Sequence, residues 1–119
     1  MRSRNDEATA ARSNQPPVLI LTSLAGGEKH GYALIQDIEQ FAGVKLGPGT
    51  LYGALGRMEE RGLIEPIGEP GRRRPYRLSA AGEESLRDAL QWLGTIVDEG
   101  STRLRARPAP GISPHGATA

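Results

Sequence analysis

Residues 47–64 read GPGTLYGALGRMEERGLI, and the apolar spacing inside this stretch decides the fold. Leu51, Leu55 and Met58 stand at i, i+4 and i+7, one stripe of an α-helix. Pro48 suits the first helical position, where a missing N–H breaks no hydrogen bond. Gly62 suits the position just past the end, with Leu63 folding back on the helix. The spacing therefore predicts a helix from Pro48 to Arg61. Steps of about 100° per residue from the buried stripe turn Gly49, Thr50, Gly53, Arg57 and Glu60 outward.

Upstream, Gly43-Val44-Lys45-Leu46-Gly47 is a short, glycine-bearing connection. Before it, Leu34, Ile35, Ile38 and Phe41 recur at 3–4 spacing, with Gln36, Asp37, Glu39 and Gln40 opposite. This predicts an amphipathic helix over 31–42, opened by His30 and stopped by Gly43. Further back, Pro16-Pro17 introduces a segment in which Val18, Leu21, Thr22 and Ala25 share a stripe, flanked by Ile20 and Leu24. The apolar run also suits a buried strand, but its length and the Gly26-Gly27 stop favour a helix.

Downstream, 63–67 reads as a short strand, Gly68-Glu69-Pro70-Gly71 as a turn, and 73–78 as the return strand. Pro66 and Pro75 confine both strands to a sheet edge. Arg77 alternates with Arg73 and is a candidate partner for a helix carboxylate. Ser79 caps a further helix by accepting from the backbone N–H of Ala81 or Gly82, and Glu83 and Glu84 suit its positive end. Leu86, Leu90, Leu93 and Val97 then repeat at 4-3-4 beside Ala89 and Ile96, a heptad-like seam. Gly100 weakens or ends this helix unless Leu104 extends it.

The order is helix, helix, helix, hairpin, long helix. That is a mainly α fold with a small β-hairpin (α+β): a winged helix-turn-helix, with the third helix as recognition helix, followed by a long C-terminal dimerisation helix. The winged-helix domain is expected over 14–78 and the dimerisation helix over 79–106. Residues 1–13 and 107–119 lack the apolar content to offset ordering entropy and are expected to be disordered tails.

The 119 residues fit one modest domain, and the net charge of +1 indicates no partner by itself. The distribution is more informative, because Arg72, Arg73, Arg74 and Arg77 cluster around Tyr76. With no cysteine, disulfides, thiolate zinc sites and cysteine nucleophiles are excluded. Two distant histidines, His30 and His115, make no metal site, and no cofactor is expected. The longest apolar run is Val18–Leu21, too short for a membrane span, and no apolar segment follows Arg2 and Arg4 as in a secretory signal. A cytoplasmic protein is expected. Gly47-x-Gly49-x-x-x-Gly53 approaches a dinucleotide-binding fingerprint, but no strand precedes it and an antiparallel hairpin follows. No nucleophile–base or paired-carboxylate arrangement supports an enzyme.

Residues 47–64 resemble the recognition helix of PadR-like transcriptional regulators, whose pattern there is G-T-L-Y-P-x-L-x-R-L-E-x-x-G-L-I. His30-Gly31-Tyr32 and Arg72-Arg73-Arg74-Pro75-Tyr76-Arg77-Leu78-Ser79-Ala80-Ala81-Gly82 are similar to two further family segments, and the likeness covers 16–98. Gly53 stands where the family often has Pro, and Gly56 is also a departure. Each glycine costs the helix about 1 kcal/mol relative to Ala. The resemblance implies a homodimer joined through the C-terminal helix, usually a repressor. Some members bind planar aromatic compounds between the dimer's helices, using a tryptophan displaced by one residue from the register of Trp92.

In this frame Thr50 and Arg57 are the leading candidates for DNA contact. Arg57 suits guanine O6/N7 or a phosphate, and Thr50 a phosphate or a thymine methyl. Tyr52, on the flank, suits a phosphate. The alternatives are a solvated charge at Arg57 and a core-edge ring at Tyr52. Arg72, Arg73 and Arg74 at the hairpin tip suit the DNA backbone or minor groove, beyond what guarding a sheet edge requires. Leu86, Leu90, Leu93 and Val97 are the expected dimerisation residues. Trp92 is either a stacking surface for a small-molecule effector or part of dimer packing. The expected partners are double-stranded DNA, a second copy of the chain and a possible effector. The rival from another class is a winged helix used as a protein-interaction module.

Overall fold

The computed structural model describes residues 16–70 and 74–109. The expected tail at 1–13, most of that at 107–119, His115, Arg72 and Arg73 lie outside the described residues. Along the chain come α1 (Pro16–Ala25), α2 (Gly31–Ala42), α3 (Pro48–Glu60), β1 (Ile64–Pro66), β2 (Tyr76–Leu78) and α4 (Ala80–Ala106). This is the mainly helical winged-helix arrangement that the sequence predicts.

Local chemistry sets the boundaries. His30 has extended backbone and its Nδ1 accepts from the N–H of Ala33 at 3.5 Å, capping α2. Gly43 closes α2 in the left-handed region (φ 69°), donating to the Glu39 carbonyl. Pro48 opens α3 behind Gly47. At its end Arg61, Gly62 (φ 75°) and Leu63 donate to the carbonyls of Arg57, Glu59 and Met58, a left-handed glycine turn that closes the last carbonyls of the helix.

Ile20, Leu34, Ile38, Leu51, Leu55 and Ile64 are fully buried, and Val44 and Leu46 of the α2–α3 connection join them. Burying such side chains is worth about 1.5–3 kcal/mol each. The buried face of α1 is rotated from the expected stripe. Ile20, Leu21, Ser23 and Leu24 are inside, Val18 and Thr22 are half-buried, and Ala25 is exposed. Both edges of α1 were apolar, so spacing could not choose between them. Phe41, expected inside, is 47% exposed. The last turn of α2 passes the core, and Val44 and Leu46 fill the space beyond it.

The antiparallel hairpin pairs Ile64 with Leu78, Glu65 with Arg77 and Pro66 with Tyr76. Strand β2 begins at Tyr76 rather than at 73, because Pro75 has no N–H to give a ladder; its carbonyl still accepts from Ile67 at 2.8 Å. Arg77 pairs across the hairpin with Glu65 (3.8 Å), not with a helix carboxylate, since the register sets the two opposite each other. The other edge of β2 meets Lys29, whose backbone exchanges two hydrogen bonds with Tyr76 (2.9 and 3.2 Å). The Lys29 ammonium donates to the Ser23 carbonyl at 2.6 Å, and buried Ser23 donates its hydroxyl to Asp37 at 2.5 Å.

Ser79 fastens α4 to the end of α3. Its N–H donates to the Leu63 carbonyl (3.1 Å), its hydroxyl donates to the Gly62 carbonyl (2.5 Å) and accepts from the Gly82 N–H (3.0 Å). Gly82 is buried against Leu63. A Cβ there would overlap the Leu63 carbonyl oxygen and stand 2.9 Å from its carbon. Leu86, one turn on, is 6% exposed and belongs to the same core. It therefore leaves the expected dimerisation seam. The chain divides into two compact units between Arg87 and Asp88, two turns into α4. Helix α4 runs unbroken through Gly100, with an Arg103–Glu99 pair at 2.9 Å spanning that position.

Candidate nucleic-acid interface

Helix α3 is sharply two-sided. Leu51, Ala54, Leu55 and Met58 are buried, whereas Gly49, Thr50, Tyr52, Gly53, Gly56, Arg57 and Glu60 are exposed. Both interior glycines are accommodated without a break in the helix. The guanidinium of Arg57 forms no ion pair or hydrogen bond among the described residues, and neither does the Thr50 hydroxyl. The outward face thus offers the Arg57 guanidinium and the Thr50 hydroxyl among three glycines, with exposed Tyr52, Glu59 and Glu60 alongside. Gly47 provides no side-chain cap, so the first N–H groups of α3 are open to an anionic or carbonyl acceptor.

Tyr52 is 52% exposed but anchored. Its ring lies on the backbone of Gly31, where a Cβ would stand 2.7 Å from Cζ and overlap the hydroxyl. Glycine at the start of α2 is what lets the two helices meet through this ring. His30, Gly31, Tyr32 and Tyr52 line a cleft of about 300 Å³, and Tyr32 is 65% exposed. Tyr32 was not singled out from the sequence. The available signal was Gly31, a glycine inside the first turn of a helix, which marks close approach of another group.

On the wing, Arg74 is half-buried near Tyr76. Burial pushes the Tyr76 hydroxyl above the usual tyrosine range. The Glu59 carboxylate and, more weakly, Tyr52 push the same way, while the Arg74 guanidinium opposes them. On α4, Trp92 is 63% exposed, as are Leu90 (48%), Ile96 (47%), Val97 (63%) and Leu104 (68%), while Leu93 is half-buried. Among the described residues no group of three or more His, Cys, Asp or Glu is placed to hold a metal, and no helix is long and apolar enough to cross a membrane.

Three compact helices, a hairpin wing and a polar outward face on the third helix define a winged helix-turn-helix regulator. The profile of the transcriptional regulator PadR-like family matches residues 20–88, more than half of the chain. The chain belongs to this family of transcriptional regulators, which are not enzymes. An uncharacterized 37.1 kDa transposon protein of Streptomyces fradiae is 51% identical over 75 residues, 63% of this chain. The chain spans 22% of that protein's length. A transcriptional regulator of Mycobacterium tuberculosis is 36% identical over 83 residues, covering 67% of this chain and 77% of its own length. Among solved structures, a PadR family transcription regulator from hypervirulent Clostridium difficile superposes with a TM-score of 0.67 at 28% identity, covering 75% of this chain and 97% of that one.

Proposed function

We propose that this regulator is a sequence-specific, double-stranded-DNA-binding repressor that works as a homodimer in the cytoplasm. The observation that carries the reading is the outward face of α3, where Thr50 and Arg57 are exposed among Gly49, Gly53 and Gly56, with Tyr52 and Glu60 beside them. A helix so shaped can enter a major groove deeply. Tyr52 and Tyr32 at the cleft suit the flanking phosphates. Arg72, Arg73 and Arg74 would run along the DNA backbone. The winged-helix region 14–78 then reads DNA and the helix of 79–106 joins two copies through Leu90, Leu93 and Val97. Two-fold symmetry requires a palindromic operator with half-sites one helical turn, about 34 Å, apart. A planar aromatic effector stacked on exposed Trp92 would release the DNA by favouring a different spacing of the two heads.

The test is fluorescence anisotropy with labelled DNA from upstream of the protein's own gene, unrelated competitor DNA and two salt concentrations. Tight, competitor-resistant binding is expected. The Arg72→Ala/Arg73→Ala/Arg74→Ala variant should lower the salt slope by up to about 2.7, since each neutralised phosphate contributes about 0.9. Weak binding indifferent to sequence, across this and other promoters, would turn the reading to a protein-interaction module.

A further inference from the structure

His30 opens α2 with one side of its ring, where Nδ1 accepts from the Ala33 N–H at 3.5 Å. An N–H aimed at a ring nitrogen leaves no room for a hydrogen on that nitrogen. An imidazole that accepts at Nδ1 therefore carries its hydrogen on Nε2. Among the described residues Nε2 of His30 has no hydrogen-bond partner. The cap thus leaves the second ring nitrogen as an N–H donor with nothing in the protomer to receive it.

The same ring lines the cleft of about 300 Å³ with Gly31, Tyr32 and Tyr52. Two of its walls are fixed: His30 by its cap, and Tyr52 by the seat of its ring on the Gly31 backbone. What the cleft presents is donors, a ring N–H and two phenol hydroxyls, and none of its lining residues is acidic. That set fits an oxyanion. The cleft also stands at the start of α2, the first helix of the helix-turn-helix, which crosses the DNA backbone while the second enters the groove. The oxyanion met there is a phosphodiester.

We propose that His30 is a further DNA-contacting residue, donating from Nε2 to one backbone phosphate seated between Tyr32 and Tyr52. This rests on the DNA-binding reading above and adds to it a contact of another kind. Arginines on the wing bind phosphate by charge and displace counterions, whereas an imidazole in this form has no charge and displaces none. It fixes the protein's place on the duplex and reads no base.

The experiment uses the full chain and duplex DNA from upstream of its own gene, each phosphate replaced in turn by an uncharged methylphosphonate, with binding read by anisotropy. Wild type is compared with His30→Asn, His30→Ala and Tyr52→Phe. Asparagine is a strong N-cap, so it preserves the start of α2 while removing the Nε2 donor. Phenylalanine keeps the ring on Gly31 and removes the hydroxyl. His30→Asn should weaken binding to the unmodified duplex about tenfold, with base preference, salt slope and melting temperature close to wild type. His30→Ala should weaken binding as much and also lower the melting temperature. At one phosphate of each half-site, methylphosphonate should weaken wild type about tenfold more than it weakens His30→Asn, and Tyr52→Phe should blunt the same position. Binding by His30→Asn equal to wild type overturns the proposal. So does a loss shared evenly by all phosphates, which marks a change in the fold, or a lowered salt slope, which marks a charged contact. If wild type binds no duplex specifically, the DNA-binding reading itself fails, and the proposal with it.

Discussion

Helix α3 and the second half of α4 carry similar amounts of apolar sequence and treat it oppositely. In α3, Leu51, Leu55 and Met58 are covered by the core, and what is exposed is glycine and polar side chains: Thr50, Tyr52, Arg57, Glu59 and Glu60. Beyond Arg87, α4 leaves Leu90, Trp92, Ile96, Val97 and Leu104 exposed. A helix whose apolar face is already satisfied has its other face free for polar recognition. A helix whose apolar face is open gains most from a partner, which in the proposed function is a second copy. Leu86 shows where one regime gives way to the other: it continues the heptad of α4, yet its side chain belongs to the core.

The largest test of this contrast is at the anchored start of α4. Gly82→Val drives a branched side chain into the Leu63 backbone and should lower unfolding stability by about 3 kcal/mol. Urea titration should show a lower midpoint at constant slope; an unchanged midpoint would mean that α4 is not fixed to α3 there. Next, the double variant Leu90→Glu/Val97→Glu should weaken self-association at least about 100-fold, or about 2.8 kcal/mol. If the proposed dimer forms through this face, sedimentation velocity should show dimer for wild type and monomer for the variant. The same pair should change monomer unfolding by no more than about 0.5 kcal/mol. Dimers that survive the two charges would place the partner surface elsewhere.

A smaller effect is expected on the bare face of α3. Gly56→Ala meets open space and should stabilise the fold by about 1 kcal/mol, seen as a higher melting temperature. Destabilisation would mean that the face is packed after all. The smallest is a pH effect at the wing. The folded state holds the Tyr76 proton more tightly than the unfolded chain, where the ordinary value is 10.0. The associated stability is present below that pH and declines as pH rises above it, through the higher folded value. Tyr76→Phe should flatten that alkaline fall in a series of denaturation curves.

Element order and the exposed face of α3 were legible because few residues decide them: the Leu51–Leu55–Met58 stripe, the Gly43 and Gly62 stops, and the Pro66 and Pro75 restraints. What was not legible depends on tertiary position. Apolar residues edge α1 on both sides, and only its neighbours select Ile20 and Leu24 over Val18 and Ala25. Phe41 obeys the spacing of α2 but overshoots the core. Leu86 cannot be told from Leu90 by heptad position, because the difference is where α3 ends. Arg77 found Glu65 through strand register, which a hairpin turn of uncertain length leaves open. The position of Tyr52 on Gly31 required knowing that two helix starts converge. Its signal, a glycine inside a first turn, says that something approaches without saying what.

Lys29 has a consequence for how this family member could change its target. One residue ties three things: its backbone is stitched to Tyr76 at the root of the hairpin, its ammonium closes on the Ser23 carbonyl at the end of α1, and it lies 4.0 Å from the Asp37 carboxylate of α2. The root of the wing is thereby referenced to the helices rather than to its own turn. Residues inserted or exchanged between Ile67 and Arg74 would alter how far the hairpin reaches and what charge it carries, while its point of departure stayed put. Variation there would work like changing the nib of a pen held in an unmoved grip.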